Sequence, residues 1–200
     1  MINLYKISMS VKMIKWITPV DLTPHVYLHP SITGDINGKN LADYGVKWTL
    51  IGHSEREADG REVAIKTKNA IDSGFSVIFC TDEHLAELVE VNRQLSEADW
   101  KKIVIAYEPL WAEKGIVPSP QKVQETHANI RYWLCDQISP EVAADMRIIY
   151  GGSTSIIDFD ELYAMDDING FLIAGASLKA EFVKIVSGVL SYLIISPVAI

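Results

Sequence analysis

The sequence predicts an α/β protein built on a parallel sheet. Six short runs are almost continuously apolar and rich in β-branched or aromatic residues, which is typical of strands buried on both faces of a sheet. Segments with helical spacing separate the runs, and this alternation indicates successive βα units. The six predicted strands are His25–His29, Val46–Gly52, Ser76–Cys80, Ile103–Glu108, Met146–Gly151 and Gly170–Gly175.

The helices between the strands are predicted from apolar residues three or four positions apart. One predicted buried face consists of Leu85, Leu88, Val89 and Leu95, and another of Val123, His127, Ile130 and Leu134. The second helix has a clear start, because Ser119 is a favoured N-cap residue and Pro120 fits the first helical position. No Gly/Ser-rich linker divides the units, so we expect a single domain over residues 1–200.

Charge and cysteine content narrow the function classes. The chain has 18 Lys and Arg against 26 Asp and Glu, a net charge of −8. A nucleic-acid binder needs a basic surface to displace phosphate counterions, so we expect no nucleic-acid partner. The two cysteines, Cys80 and Cys135, form no CxxC pair, which disfavours a disulfide framework and a thiolate metal site.

Location in the cell is predicted from the two ends of the chain. The first residues lack the pattern of a signal peptide. The apolar run Ile185–Ile200 is shorter than the roughly 20 residues of a membrane-spanning helix. We therefore expect a cytoplasmic protein with no membrane partner.

Two polar residues directly follow predicted strands, where parallel α/β folds collect their functional groups. Glu108 follows a fully apolar run, and desolvation at such a rim raises the pKa of a carboxylate toward that of a general base. His53 ends another run, and Ser54–Glu57 reads as the first turn of a helix. A neutral imidazole at a helix N-terminus can polarise a carbonyl group. Each residue taken alone also fits a structural role.

Two glycine-rich loops close the last two predicted strands. Gly151, Gly152 and Ser153 follow one strand, and Ala174 and Gly175 follow the other. Glycine lets backbone N–H groups approach an anion, and phosphate sites of (β/α)8 barrels often follow strands seven and eight. The pair of loops therefore predicts a phosphate site. The histidines show no metal-ligand spacing, and we expect no metal.

Four segments together resemble the triosephosphate isomerase family. They are Tyr44–Glu57 (YGVKWTLIGHSERE), Ala106–Ala112 (AYEPLWA), Arg147–Ser153 (RIIYGGS) and Asn169–Val183 (NGFLIAGASLKAEFV). The resemblance covers roughly residues 33–185. It implies a TIM (β/α)8 barrel that interconverts dihydroxyacetone phosphate and D-glyceraldehyde 3-phosphate, a reaction of glycolysis and gluconeogenesis. A glutamate base paired with a neutral histidine is this family's known mechanism.

The resemblance also implies roles for individual residues. Glu108 and His53 are the expected catalytic residues, without a cofactor. Ser153, Gly152, Ala174 and Gly175 are expected to bind the substrate. The segment that begins at Thr33 resembles the loop through which family members form homodimers.

The N-terminal part departs from the family pattern. The family's first strand ends in Asn-x-Lys, whereas the nearest counterpart here is Ser10-Val11-Lys12. We therefore expect a barrel that is incomplete at its N-terminus, with a divergent segment over residues 1–24, a barrel-like core over 25–190 and an apolar tail over 188–200. Whether Lys12 replaces the family's substrate lysine stays open. A catalytically impaired relative that binds phosphate or pairs with another subunit, or a truncated gene product, is the alternative.

Overall fold

The described part of the chain is an alternation of strands and helices. A computed structural model describes residues 38–54, 59–109, 118–152, 156–173, 175–180 and 182–183. The strands are β1 (Trp48–Ile51), β2 (Ser76–Thr81), β3 (Ile103–Tyr107) and β4 (Ile148–Tyr150). The helices are α1 (Gly38–Asp43), α2 (Gly60–Asp72), α3 (Ala86–Asn92), α4 (Pro120–Gln137), α5 (Pro140–Asp145) and α6 (Ile156–Tyr163), with 3-10 turns at Asp99–Lys102 and Gly175–Leu178.

The four strands form one parallel sheet in the order β1-β2-β3-β4. Alternate residues along each strand belong to two separate apolar clusters. The larger cluster joins the sheet to the helices and includes Phe79, Ile105 and Tyr150. The smaller cluster lies on the opposite face and consists of Ile78, Cys80, Val104, Ala106 and Ile149. Burial on both faces is the reason for the continuous apolar runs in the sequence.

The starts of three helices are fixed by side chains that cap the first backbone N–H groups. Asp59 accepts a hydrogen bond from the N–H of Glu62 at 2.8 Å and begins α2. Ser119 and Ser139 cap α4 and α5 in the same way, each followed by proline at the first helical position. The predicted start at Ser119-Pro120 is therefore confirmed.

Four of the six predicted strands are present, three with shorter limits and one, Ser76–Cys80, extended by one residue to Thr81. The last predicted strand, Gly170–Gly175, is wrong in extent among the described residues, because Phe171 alone pairs, as a single bridge to Tyr150. The Tyr150 N–H donates to the Gly170 carbonyl and the Leu172 N–H to the Tyr150 carbonyl, and the side-chain amide oxygen of Asn169 accepts the N–H of Ile148 at 2.9 Å. The first predicted strand, His25–His29, lies outside the described residues, as do the segments 1–24 and 188–200.

Of the two predicted buried helix faces, one is fully buried in the structure and the other is only partly buried. All four residues of the second face are fully buried in α4: Val123, His127, Ile130 and Leu134. The first face is only partly correct, because α3 spans just Ala86–Asn92 and Val89 is 39% exposed. Leu88 is buried, whereas Leu85 and Leu95 pack on the core from outside the helix. No helix within the described ranges is long and apolar enough to cross a membrane.

Candidate active site

Glu108 follows β3 directly and occupies the carboxyl edge of the sheet. Its backbone N–H donates to the carbonyl of Thr81 at 2.9 Å, which continues the ladder between β2 and β3 by one residue. Its side chain is only 11% exposed. The sheet therefore holds the Glu108 carboxylate at its rim, partly shielded from water.

Three groups surround the Glu108 carboxylate. His53 Nε2 lies 3.4 Å from Oε1, and the Cys80 thiol donates to the same oxygen at an Sγ–Oε1 distance of 3.3 Å. The backbone N–H of Ser54 donates to Oε2 at 3.2 Å. The structure thus brings the two predicted catalytic residues, Glu108 and His53, into direct proximity.

His53 reaches Glu108 because of the turn that ends β1. Gly52 has a φ of +84°, and a Cβ at this position would lie 2.9 Å from the Cys80 carbonyl oxygen. Only glycine fits such a left-handed backbone so close to a neighbouring strand. Ser54 itself lies in a turn, and α2 begins at Gly60. Residues 55–58 lie outside the described part, so the helix start over Ser54–Glu57 stays a prediction.

Burial sets the acid–base character of Glu108. Desolvation raises the pKa of its carboxyl above the ordinary value. The neighbouring His53 and the donors from Ser54 and Cys80 stabilise the charged form, but they offset only part of this rise. A carboxylate with a raised pKa is a better base at neutral pH than an exposed one.

The glycine loop after β4 lies against Glu108. The Gly151 N–H donates to the Tyr107 carbonyl at 2.8 Å, and a Cβ on Gly151 would lie 2.9 Å from Glu108 Cγ. A Cβ on Gly152 would lie 2.2 Å from the Tyr150 hydroxyl oxygen. Both positions therefore require glycine for close packing, and the loop and the carboxylate form one site.

The remaining predicted binding residues are only partly described. Gly175 opens the 3-10 turn Gly175–Leu178, where an added Cβ would have open space around it. Ser153 and Ala174 lie outside the described residues, as do Thr33 and Lys12.

Cys80 is the site residue that sequence reasoning missed. It is fully buried, and desolvation together with the nearby Glu108 charge raises the pKa of its thiol well above the usual value. Cys80 is therefore a neutral donor toward Glu108. The sequence alone did not reveal it, because Cys80 shares a sheet face with Glu108 only through the register that pairs Cys80 with Ala106.

The assembled groups suit proton transfer. A shielded carboxylate, an imidazole and a glycine loop converge at the carboxyl edge of a parallel sheet, the usual ligand position in such folds. Among the described residues, no group of three or more His, Cys, Asp or Glu side chains is placed to hold a metal ion.

Comparison with known proteins places this site in a family. The family model described as "Triosephosphate isomerase" matches residues 23–189. The triosephosphate isomerase of Aspergillus oryzae is 46% identical over 175 residues, which cover 78% of this chain and 70% of the relative. That of Coprinopsis cinerea is 42% identical with the same coverage. The glycosomal triosephosphate isomerase of Trypanosoma cruzi is 41% identical over 174 residues, 78% of this chain and 69% of the relative.

These matches confirm the predicted family and fold class. The described sheet and helices are part of the (β/α)8 barrel of that family, in the βα order expected from the sequence. The chain belongs to the triosephosphate isomerase family.

Proposed function

We propose that this chain interconverts dihydroxyacetone phosphate and D-glyceraldehyde 3-phosphate as a triose-phosphate isomerase of glycolysis and gluconeogenesis. The observation that carries the proposal is the pairing of His53 Nε2 with the buried Glu108 carboxylate at 3.4 Å. In this family the glutamate is the base and the histidine the polarising group.

Glu108 is the proposed proton carrier. Its carboxylate removes a proton from the carbon next to the substrate carbonyl. The electron pair of the broken C–H bond forms the C=C bond of an enediolate, and the carbonyl oxygen takes up the negative charge. His53 stabilises this oxygen, because a fixed donor is worth more in a shielded site than in water. Return of the proton to the former carbonyl carbon, together with transfer of the hydroxyl proton from the neighbouring oxygen to the former carbonyl oxygen, completes the isomerisation.

The reaction needs no redox cofactor, because all electrons stay within the substrate. One carbon is formally oxidised while its neighbour is reduced, and the same carboxylate carries the proton between them. The site therefore requires a base, an oxyanion donor and a means of holding the phosphate. We propose no cofactor and no metal.

The glycine loops are the proposed phosphate holders. We propose that Gly152 and Ser153, which follow β4 in the sequence, bind the phosphate through backbone N–H groups together with Ala174 and Gly175. The close packing of Gly151 against Glu108 supports this role, because it places the loop within reach of a triose bound at the carboxylate.

The proposed assembly is a homodimer formed through the loop that begins at Thr33, with no nucleic-acid partner. Light scattering of the purified chain at micromolar concentration tests this directly, and a folded monomer would contradict it. The proposed compartment is the cytoplasm. The name of the Trypanosoma cruzi relative gives a glycosomal location for that protein, so fractionation with glycosomal markers is the appropriate test.

The decisive experiment shortens the proposed base. We expect Glu108→Asp to lower kcat/KM on the order of 10²-fold, because a displacement near 1 Å of a reacting group costs about this much. The matched control is Glu125→Asp, an exposed carboxylate on α4 (65% side-chain exposure) that should leave turnover unchanged. Incorporation of solvent deuterium into product in D2O reports the proton transfer itself. Wild-type turnover in Glu108→Asp would rule out Glu108 as the base.

A further inference from the structure

His127 is a fully buried histidine of α4 with one nitrogen in use. Its Nδ1 lies 3.2 Å from the carbonyl oxygen of Asp167. A carbonyl only accepts, so Nδ1 carries the hydrogen and the imidazole is the neutral Nδ1–H tautomer. Nε2 is buried without a hydrogen-bond partner in the described structure. A buried polar atom without a partner lowers the stability of the fold, and an apolar side chain such as Leu or Phe would avoid this cost. The presence of a histidine at this position therefore calls for an explanation.

The imidazole contacts two tyrosine rings. Tyr107 meets it edge-on, with ring centroids 5.7 Å apart and planes at 86°. Tyr150 lies 6.4 Å away in a tilted arrangement, and the two tyrosine rings are 6.2 Å from each other. We call these three residues the ring cluster.

Both tyrosines of the ring cluster are continuous with the active site. Tyr107 precedes Glu108, and its carbonyl accepts the Gly151 N–H at 2.8 Å. Tyr150 precedes Gly151, and its hydroxyl lies directly under Gly152, where a Cβ would approach it to 2.2 Å. The ring cluster therefore packs against the underside of the Gly151–Gly152 loop.

We infer that His127 is a positioning residue for the Gly151–Gly152 loop, and acts on phosphate binding through the ring of Tyr150. The inference rests on the proposed function, in which this loop holds the substrate phosphate. The Asp167 carbonyl fixes the imidazole plane, and the imidazole limits the tilt of the Tyr150 ring. Without it, the Tyr150 hydroxyl no longer has one position beneath Gly152, and the loop loses its fixed geometry.

Three variants of the full chain test the inference. His127→Leu removes the aromatic ring, whereas His127→Phe keeps an aromatic ring and loses both nitrogens, including the Nδ1–H that donates to Asp167. Tyr132→Leu is the control, because Tyr132 is an exposed ring (73%) on the same helix. The readouts are kcat and KM for the triose, the Kd for inorganic phosphate by calorimetry, and the thermal midpoint.

We expect His127→Leu to raise KM and the phosphate Kd about 3- to 10-fold, because an aromatic pair contributes about 0.5–1.5 kcal/mol beyond its buried area. His127→Phe keeps a ring against Tyr150 but loses the bond to Asp167, so it should raise both constants less than His127→Leu does while lowering the thermal midpoint. Tyr132→Leu should change neither. In a Tyr150→Phe background, which removes the hydroxyl under Gly152, His127→Leu should have a smaller effect, since residues acting through each other are non-additive.

Unchanged KM and phosphate Kd in folded His127→Leu would overturn the inference, since a purely structural residue would lower only the thermal midpoint. An equal rise in His127→Phe would also overturn it. If His127→Leu does not fold, His127→Asn replaces it, because the amide can still donate to Asp167 while the ring is lost. A wild-type chain that neither isomerises the triose nor binds phosphate would refute the proposed function, whereas normal wild-type behaviour with unaffected variants refutes this inference alone.

Discussion

Acid should destabilise this protein through His127. Burial lowers the pKa of its imidazole from 6.5 to about 4. The Asp167 carbonyl and the Asp167 charge favour protonation, and the Arg131 charge opposes it. The tyrosines that face the ring, Tyr107 and Tyr150, carry no charge in this pH range. Burial is therefore the dominant influence on His127.

The sign and size of the effect follow from linkage. Between pH 6.5 and about 4 the unfolded chain carries a proton on His127 and the folded chain does not. The stabilisation is fully present above pH 6.5 and is lost as the pH falls toward 4. The gap between the two pKa values corresponds to about 3 kcal/mol of unfolding free energy, at 1.36 kcal/mol per pKa unit.

The assay is urea unfolding followed by circular dichroism at pH 7.5, 6.5, 5.5 and 4.5. His127→Phe is less stable at neutral pH because the Asp167 carbonyl loses its donor, but its stability should fall less steeply with acid. The difference in unfolding free energy between wild type and variant should change by about 2.5 kcal/mol between pH 7.5 and 4.5, in the direction that disfavours the wild type. His84→Phe, at an exposed histidine, should retain the wild-type pH dependence. Parallel curves for wild type and His127→Phe would refute the reasoning.

Three further substitutions test the site and its support. Cys80→Ala removes a donor to Glu108, so the acid limb of the kcat/KM profile should move to higher pH. Cys80→Ser should return the acid limb to its wild-type position. Coincident pH profiles for wild type and Cys80→Ala would contradict the role of the thiol as a donor to Glu108. Gly151→Ala places a Cβ 2.9 Å from Glu108 Cγ, and we expect a loss of kcat/KM on the order of 10²-fold in a folded chain; normal turnover would mean that the carboxylate tolerates displacement. Arg131 donates to Asp167 and to the Ala143 carbonyl. Arg131→Lys should therefore lower the unfolding free energy, measured in urea, by about 1–3 kcal/mol. A change below about 0.5 kcal/mol would show that lysine satisfies these acceptors.

The sequence predicted the central part of the fold because burial on both faces leaves an unambiguous pattern. The runs at Ser76–Cys80 and Ile103–Glu108 became β2 and β3 within one residue of their predicted ends. The prediction was too long at the last run. At Gly170–Gly175 the apolar residues are present, but the pairing with β4 is a single bridge between Phe171 and Tyr150, and Gly175 begins a 3-10 turn.

Helix faces were predictable only where one helix spans the whole pattern. The face that includes His127 lies within α4, which has 18 residues and a clear cap at Ser119. The face that includes Val89 was assigned across a segment whose helix has only seven residues. Leu85, at its start, has a φ of +58°. Apolar spacing does not reveal such a left-handed residue, so the length of α3 was not readable from the sequence.

The candidate site was predictable in its charged residues and not in their surroundings. Glu108 and His53 stand out because polar residues that end apolar strands converge at one edge of a parallel sheet. Two of the groups that affect the pKa of Glu108 are the Cys80 thiol and the Ser54 backbone N–H. In the sequence the cysteine looks like an ordinary core residue, and a backbone N–H cannot be recognised at all. Their contribution depends on distances of 3.2–3.3 Å across β1, β2 and β3, which only the assembled register defines.

The same register explains how the sheet edge retains a carboxylate whose burial lowers the stability of the fold. Burial raises the pKa of Glu108, so its charged form destabilises the folded state at neutral pH. The surrounding strands are apolar and continuous on both faces, and their packing offsets this cost. Gly52 and Gly151 then remove the side chains that would otherwise fill the space beside the carboxylate. Stability is thus concentrated in the strand interiors, and the strand ends are left free to carry groups that are strained, shielded and reactive.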